Sequence, residues 1–360
     1  MEPDLPAMLD DLRTLVEIES PSSDLAALQA SAAAVAGVLE KRLGGTAVLV
    51  ESPAGPHVRW SGGGSPKVLV LGHHDTVFPH GTLAERPFTV ADGRVYGPGV
   101  FDMLGGLVQA IHGLALLERR AGVEVLITCD EEVGSNASRE LIQELALECG
   151  AVLVFEGAGE GGAVKTGRKG CGTFEVAITG RASHAGLEPE AGVNALVEAA
   201  HQVLAIAALA RPELGTTVVP SMASAGTASN VVPAQASLTV DVRVASVAEK
   251  ERLEAGFGAL EPRHPEAVLK VSGGITRPPM PEDVSAQLFE VARQFDGNLR
   301  GVSVGGGSDG NLTAAVGVPT LDGLGAVGGG AHADHEYLVL DSMSERARLT
   351  AHLVRHLTAG

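Results

Sequence analysis

The pattern of apolar and polar positions predicts strands that alternate with helices. Three short, almost wholly apolar runs are predicted to be buried strands: residues 68–71, 123–128 and 151–155. Four segments have the spacing of amphipathic helices: residues 9–16, 25–39, 104–119 and 138–148. This alternation indicates an α/β fold with a mainly parallel sheet that helices cover on both faces.

The pattern changes near residue 168. Residues 171–179 alternate apolar and polar side chains, as expected of a strand with one exposed face. The elements predicted after it are a helix at 191–209, strands at 215–224 and 235–244, a helix at 247–260 and a strand at 266–272. This β-α-β-β-α-β order predicts a two-layer α+β domain at 169–276, inserted into a larger domain of residues 1–168 and 277–360, whose last helix is expected at 342–357.

Charge and composition restrict the partners. The chain has 26 Lys and Arg against 44 Asp and Glu, a net charge of -18, and only 3% aromatic residues. Such a surface repels nucleic acid and anionic membranes, and few rings are available to stack on bases. The first residues lack a secretory pattern, no apolar run is long enough to span a bilayer, and the three cysteines form no CxxC pair. We therefore expect a cytoplasmic protein with neither nucleic-acid nor membrane partners.

Acidic and imidazole side chains follow each of the three predicted strands. His73 and Asp75 follow the first strand, Glu131 and Glu132 the second, and Glu156 the third. Because the carboxyl ends of parallel strands meet at one edge of a sheet, these side chains are expected in one crevice. So many acids repel one another unless a cation lies among them, so the sequence predicts a divalent metal site.

The residue types suit different tasks within such a site. A neutral imidazole at His73 suits zinc, and Asp75 is placed to fix its tautomer. The neighbours Glu131 and Glu132 can divide two tasks, since one can bind metal while the other takes a proton from water. Each motif also has a plain alternative, a polar turn after a strand or an acidic loop in an acidic protein.

Taken together and in order, the motifs resemble a family of co-catalytic metallopeptidases. This family contains carboxypeptidase G, acetylornithine deacetylase, succinyl-diaminopimelate desuccinylase and the aminoacylases, and the chain most resembles its glutamate carboxypeptidase-like members. The matching motifs include Gly-His-x-Asp-Thr-Val at 72–77, Gly-Pro-Gly-x-x-Asp at 97–102, Asp-Glu-Glu-x-Gly-Ser at 130–135, Ser-His-Ala-Gly at 183–186, Asp-Val-Arg at 241–243 and Gly-Gly-Ser-Asp at 306–309. The resemblance covers nearly the whole chain.

The resemblance implies two divalent ions per chain, zinc by preference, with cobalt or manganese as alternatives. The implied metal ligands are His73, Asp102, Glu132, Glu156 and His332. Asp102 would bridge the ions; His73 and Glu156 would complete one site, and Glu132 and His332 the other. His335 is the competitor for the last position, but only His332 keeps the family's spacing before Glu-Tyr.

The resemblance also implies the catalytic and substrate-binding residues. Glu131 would be the general base for a water between the metals, and Asp75 would support His73. His184 lies in the inserted domain, which the resemblance makes a lid and dimerisation surface, and would stabilise the oxyanion. The candidate substrate contacts are Asn230, Arg243, Arg277, Gly306, Gly307 and Ser308. The chain departs from the family at Leu104, where a lysine is common.

The expected reaction is hydrolysis of an amide bond next to a carboxylate. The substrate would be a small N-acyl amino acid or short peptide, and the enzyme a homodimer through the inserted domain. The alternatives are an acetylornithine-type deacetylase or a dipeptidase. A non-catalytic metal-binding protein is a more remote alternative, and the presence of Glu131 and His184 argues against it. A phosphate-binding enzyme is disfavoured because the glycine-rich segments lack Gly-x-x-x-x-Gly-Lys-Ser/Thr.

Overall fold

A computed structural model describes residues 2–359, which divide into two compact units. The larger unit comprises the described residues up to Gly167, then Met280–Val304 and those from Ser308 onward. The smaller unit comprises Arg168–Pro279 and Gly305–Gly307.

The strands, in chain order, are β1 (Val48–Val50), β2 (His57–Ser61), β3 (Val68–His73), β4 (Thr89–Ala91), β5 (Arg94–Tyr96), β6 (Val123–Thr128), β7 (Val152–Val154), β8 (Val164–Arg168), β9 (Gly170–Thr179), β10 (Thr217–Ala225), β11 (Gln235–Val244), β12 (Val268–Arg277), β13 (Gly301–Val304), β14 (Thr320–Leu321), β15 (Gly328–Gly329) and β16 (Tyr337–Val339). The α-helices are α1 (Leu5–Val16), α2 (Leu25–Leu43), α3 (Thr82–Glu85), α4 (Leu104–Ala115), α5 (Arg139–Cys149), α6 (Ala195–Ala207), α7 (Val247–Gly258), α8 (Glu282–Phe295), α9 (Gly310–Ala315) and α10 (Ser342–Thr358). Short 3-10 turns lie at Glu131–Val133, Glu160–Gly162, Pro189–Ala191 and Pro212–Leu214.

The larger unit is built on a six-stranded sheet in the order β1-β2-β6-β3-β7-β14. The last four of these strands pair in parallel, whereas β1 and β2 join antiparallel at one side. Every residue of β3, β6 and β7 is buried, as expected of apolar strands that helices cover on both faces. The predicted α/β class with a mainly parallel sheet is confirmed.

Alternate residues of the central strands pack into two different cores. Val68 and Val70 belong to a core that α1, α2, α4 and α10 share, whereas Leu69 and Leu71 pack with α5 and α9. The period-2 alternation of a strand explains this division. Leu104, the departure from the family pattern, is a buried residue of the first core.

The smaller unit has the predicted order β9-α6-β10-β11-α7-β12. Its four strands form one antiparallel sheet in the order β10-β11-β9-β12, and Phe174, Val176 and Ile178 of β9 point into its core. The strand predicted at 266–272 runs from Val268 to Arg277 instead, and the compact unit ends at Pro279.

Some elements of the larger unit were not predicted. Helix α8 buries Ser285, Leu288, Val291 and Ala292, a helical spacing in which small and polar residues hide the apolar stripe. A four-stranded sheet of order β15-β16-β5-β4 also escaped prediction, because its strands have only two or three residues. Within residues 2–359, no helix combines the length and apolar character needed to cross a bilayer.

Candidate metal centre

Three neighbouring parallel strands bring the predicted acids and imidazole to one edge of the central sheet. Strand β3 ends at His73 and lies between β6 and β7, with His73 opposite Thr128 of β6. A tight 3-10 turn directly after β6 carries Glu131 and Glu132, and Glu156 comes two residues after β7. Two trios therefore have ligand atoms within 4.8 Å of one another: His73 with Asp102 and Glu132, and His73 with Glu131 and Glu156.

The carboxylate of Asp102 lies between two histidines. Its Oδ1 is 3.7 Å from His73 Nε2, and its Oδ2 is 3.1 Å from His332 Nε2. His73 Nε2 also lies 3.6 Å from Glu156 Oε1, whereas His332 Nε2 lies 3.3 Å from Glu132 Oε2. Each imidazole nitrogen thus lies near one oxygen of Asp102 and near a second carboxylate, that of Glu156 for His73 and that of Glu132 for His332.

The spacing of these atoms fits divalent metal ions. His73 Nε2 is buried and has no hydrogen-bond partner among the residues that the structure describes, although carboxylate oxygens surround it. Bonds from zinc to nitrogen or oxygen are about 2.0–2.2 Å long, so ligand atoms on one tetrahedral ion lie about 3.3–3.6 Å apart. The four separations around Asp102 run from 3.1 to 3.7 Å and so bracket that range, with two of them within it. An unpartnered imidazole nitrogen among carboxylates at this spacing is suited to metal binding.

The electrostatics of the centre also favour a cation. Burial opposes protonation of His73, but Asp102, Asp75 and Glu156 outweigh it and hold its pKa well above the usual range. Hydrogen bonding to Asp102 and Glu132 raises the pKa of His332 to about 10. The surplus of carboxylates therefore keeps positive charge on both imidazoles, and a divalent cation would compete with those protons.

Asp75 connects the first and second strand ends. Its Oδ1 accepts a hydrogen bond from the amide of Glu131, and its Oδ2 accepts from the amide of Glu132, both at 3.2 Å. The Ser22 hydroxyl donates to Oδ2 at 2.7 Å. The tautomer of His73 is fixed by the backbone carbonyl of Asp75, 2.9 Å from Nδ1, with the carboxylate further away at 3.4 Å. The side chain of Asp75 thus mainly orients the turn that carries Glu131.

The loop that carries Asp102 is held by a buried carboxylate, Glu336. This side chain accepts hydrogen bonds from the amides of Gly99, Phe101 and Asp102 at 2.8 to 2.9 Å. Burial raises the pKa of Glu336 to about 7, although the three amides act in the opposite direction. The peptide bond between Asp102 and Met103 is cis, as the resemblance implies.

Two backbone features help to place Glu156 and His332 at the centre. Helix α4 starts close to the segment after β7, where a Cβ at Gly106 would lie only 2.0 Å from the carbonyl oxygen of Phe155. Glycine at this position therefore permits the helix to approach Glu156. His332 has φ 61°, a left-handed conformation that is uncommon without glycine and that a rigid functional loop can enforce. His332 is 51% exposed in its side chain, so the centre opens to solvent on that side.

Two of the predicted catalytic and binding residues lie together in the smaller unit. His184 is exposed, and its Nδ1 accepts hydrogen bonds from the amides of Gly186 and Leu187 at 3.1 Å. The carbonyl of Asn230, also an exposed residue, accepts from the amide of Ala185. Because Nδ1 is an acceptor, a neutral His184 carries its proton on Nε2.

The two candidate arginines occupy one row across the sheet of the smaller unit. Arg243 of β11 and Arg277 of β12 both pair with Cys171 of β9, on opposite sides of it. Cross-strand partners point to the same face of a sheet, so both side chains lie on the face of Cys171, where Arg243 is half-buried and Arg277 is buried. The Nε and Nη2 of Arg243 donate to Asp241 at 3.0 and 2.8 Å, an ion pair that sequence reasoning missed.

The glycine-rich segment divides into two parts. The carbonyls of Gly306 and Gly307 accept hydrogen bonds from Arg168 Nη1 at 3.0 and 3.2 Å. Ser308 is fully buried; its hydroxyl donates to Asp322 at 2.6 Å and its amide to Asn311 at 2.9 Å. The side chain and the amide of Ser308 therefore serve the internal structure of this loop, and its contact with substrate stays a prediction.

Several supporting residues escaped sequence reasoning. Ser22 and Glu336 have no local signal, since their partners lie 53 and more than 230 positions away. Asp309 accepts hydrogen bonds from Thr128 and Ser135, which flank the turn of Glu131 and Glu132. A third buried trio of ligand-type side chains consists of His57, Cys129 and Asp130. Only their proximity in the fold could reveal these contacts.

Comparisons with known proteins agree with the class that the fold and the centre define, the metal-dependent amide hydrolases. Residues 69–356 match peptidase family M20/M25/M40, and the chain belongs to this family. Carboxypeptidase G2 of Pseudomonas sp. (strain RS-16) is 36% identical over 378 residues, which cover 99% of this chain and 90% of that protein. A succinyl-diaminopimelate desuccinylase of Burkholderia cenocepacia (strain HI2424) is 30% identical over 308 residues, 78% of this chain and 80% of that protein. The crystal structure of a tripeptidase from Staphylococcus aureus has the same fold, with a TM-score of 0.77 at 20% identity and full coverage of both chains.

Proposed function

We propose that the chain is a dinuclear metal-dependent hydrolase that cleaves the amide bond next to a carboxylate in N-acyl amino acids or short peptides. The observation that carries this proposal is the position of Asp102, whose two oxygens face His73 and His332 separately. The 36% identity to carboxypeptidase G2 over nearly the whole chain supports a carboxypeptidase-type reaction. Zinc is the proposed metal because imidazole and carboxylate ligands suit it, with cobalt and manganese as alternatives.

The proposed ligands divide into two sets that share Asp102. His73 and Glu156 complete one set, and Glu132 and His332 complete the other. Ions held there would polarise the scissile carbonyl and make a water molecule more acidic.

Glu131 is the proposed general base. Its Oε2 lies 3.9 Å from His73 Nε2, so the carboxylate is beside the ligands, and its backbone is fixed by Asp75. Glu131 would take a proton from water as the water oxygen bonds to the carbonyl carbon. It would return that proton to the amine nitrogen as the carbon–nitrogen bond breaks, which leaves a carboxylic acid and a free amine.

His184 is the proposed donor to the oxyanion. Its Nδ1 is occupied by two backbone amides, so Nε2–H is directed away from its own loop and is available to a substrate oxygen. Asn230 is proposed as a second polar contact, because its backbone bonds to the residue after His184. A charge-stabilising donor of this kind contributes about 3 kcal/mol to the transition state.

Arg243 and Arg277 are the proposed contacts for substrate carboxylates. Two guanidiniums in one row are suited to a substrate with two carboxylates, such as an N-acyl glutamate or aspartate. Arg243 keeps Nη1 available while Nε and Nη2 bind Asp241. The backbones of Gly306 and Gly307 are proposed as further contacts.

We further propose that the larger unit is the catalytic domain and the smaller unit a lid that also forms a homodimer interface. Strand β10 is an edge of its sheet, and large apolar side chains of this unit are exposed, among them Leu204 at 71% and Met222 at 68%. Such a surface favours association. Light scattering should give twice the chain mass, and Leu204→Glu should shift the mass to that of a monomer. A cytoplasmic location is also proposed and rests on the three cysteines, all of which are unpaired.

The test of the proposed function is amino-acid release from a panel of substrates, measured with zinc and with chelator. The panel compares N-acyl glutamate and N-acyl aspartate with acetylornithine, neutral N-acyl residues and dipeptides. Chelator-sensitive release of glutamate or aspartate is expected. Preference for acetylornithine or for dipeptides would keep the metal chemistry and replace the substrate class, and no release from any member would contradict the proposal.

A further inference from the structure

A cavity of about 520 Å³ lies in the larger unit, away from the residues of the metal centre, none of which line it. Its walls come from the end of α8, the first half of α10 and the glycine turn at Glu160–Gly162. This volume is typical of small-molecule sites. The cavity is notable for the arginines in its wall.

Arg346 has a buried guanidinium that forms no ion pair with any residue of 2–359. The residue is 6% exposed, and its Nη2 donates to the carbonyl of Gly162. Its Nη1 is buried and has no hydrogen-bond partner in the described part of the chain. Burial lowers the pKa of Arg346 to about 10, against the weaker opposing influence of Glu345 and Asp296. A buried charge without a partner is unfavourable, so an anionic ligand beside it would stabilise the protein.

A second guanidinium converges on the same turn. Arg300 also lines the cavity, and its Nη2 donates to the carbonyl of Glu160 at 3.1 Å. Thus two carbonyls of one short turn each accept a hydrogen bond from an arginine. Gly161 and Gly162 have φ 65° and 80°, and a Cβ at Gly161 would lie only 2.5 Å from Arg300 Nη2. The glycine pair therefore leaves room for both guanidiniums.

The cavity also presents the opposite charge. The exposed carboxylates of Asp296, Asp341 and Glu345 line it together with the arginines. A simple anion would meet the arginines but would be repelled by these acids. A molecule with one carboxylate and one ammonium group satisfies both signs.

We propose that this cavity binds a free α-amino acid, whose carboxylate pairs with Arg300 and Arg346 and whose ammonium group faces the acidic side chains. Phe295 and Leu299 add apolar surface that can contact a side chain. The site is separate from the metal centre, so its occupancy would not need the hydrolytic residues. The carboxylate of an amino acid bound there would also place a negative charge beside the guanidinium of Arg346.

The test is calorimetric titration of the metal-loaded protein with glutamate, glycine, succinate and inorganic phosphate. Arg346→Lys removes the planar guanidinium, and Arg300→Gln removes an exposed one with little risk to folding. Arg293→Gln is the matched control, because Arg293 is exposed on α8 and does not line the cavity. Hydrolysis of a reporter substrate is followed in all variants.

The expected result is amino-acid binding that weakens on the order of tenfold in both cavity variants, with the control and hydrolysis unchanged. If Arg346→Lys does not fold, Arg300→Gln alone decides. Succinate or phosphate binding as tightly as the amino acids would overturn the zwitterion assignment. If the amino acid binds and neither variant changes its affinity, the binding site lies elsewhere on the protein and the proposed site is overturned. The absence of any amino-acid binding would also overturn it. Failure of the proposed hydrolytic function would appear separately, as a loss of reporter hydrolysis in the unmodified protein.

Discussion

The candidate metal centre and the candidate substrate residues of the smaller unit differ in burial and in the sequence distance of the contacts that orient them. Asp75, Glu131 and Glu156 are buried and come from distant segments of the chain, and amides and hydroxyls far away in sequence orient them. His184 and Asn230 are exposed, and the hydrogen bonds of His184 involve residues two or three positions away. A preorganised buried centre and an exposed local motif should respond differently to mutation.

The largest expected effect is at Asp102, which the two ligand sets share. Asp102→Ala should bring metal content below two ions per chain and lower kcat/KM by at least about 1,000-fold, about 4 kcal/mol. Elemental analysis and steady-state kinetics measure the two quantities. Asp334→Ala is the control, because that side chain is fully exposed two residues from His332. Full metal content in Asp102→Ala would contradict a bridging role.

Glu131→Gln should separate chemistry from metal binding. The variant is expected to keep both ions, because Glu131 is not a proposed ligand, and to lower kcat by about 10²- to 10⁴-fold. Elemental analysis measures the metal content, and steady-state kinetics measures kcat. Turnover near that of the unmodified enzyme would remove Glu131 from the role of general base, and loss of an ion would make it a ligand.

His184→Ala tests the exposed side of the comparison. We expect kcat to fall about 10²-fold with metal content unchanged, because the imidazole would act only on the oxyanion. His264→Ala is the matched control, since His264 is also exposed in the smaller unit and its Nδ1 also accepts an amide two residues later. Loss of metal on replacing His184, or an equal loss of kcat in the control, would contradict the assignment.

The smallest expected effect is at Glu336, which supports the Asp102 loop without touching a proposed ion. Glu336→Gln replaces one acceptor oxygen by a donor beside amides that need an acceptor, so the loop should shift. Competition with a chelator should give metal affinity weaker by about tenfold or somewhat more. Glu118→Gln, at an exposed position, is the control. Unchanged affinity in Glu336→Gln would mean that the loop holds its shape by other contacts.

The strand ends of the centre could be predicted from sequence because a simple rule applies to them. Apolar runs are visible as buried strands, and polar residues directly after parallel strands meet at one edge. His73, Glu131 and Glu156 follow this rule. Asp102 and His332 lie on loops whose course depends on tertiary contacts, and only resemblance to a family indicated them.

What the sequence could not reveal are contacts between distant segments. Glu336 meets the Asp102 loop more than 230 positions away, and no local pattern predicts that. Helix α8 was missed because Ser285 and Ala292 interrupt its apolar stripe. The surroundings of Ser308 were hidden for a related reason, since a serine beside glycines gives no sign that it is fully buried against Asp322.

The most direct test of the central claim is a zinc titration of the metal-free protein in which bound metal and substrate turnover are recorded together. If the chain holds two ions that share Asp102, turnover should rise with bound zinc and reach its plateau at two ions per chain. Turnover should disappear when chelator is added. A plateau at one ion per chain, or turnover that persists with chelator, would contradict a dinuclear hydrolytic centre.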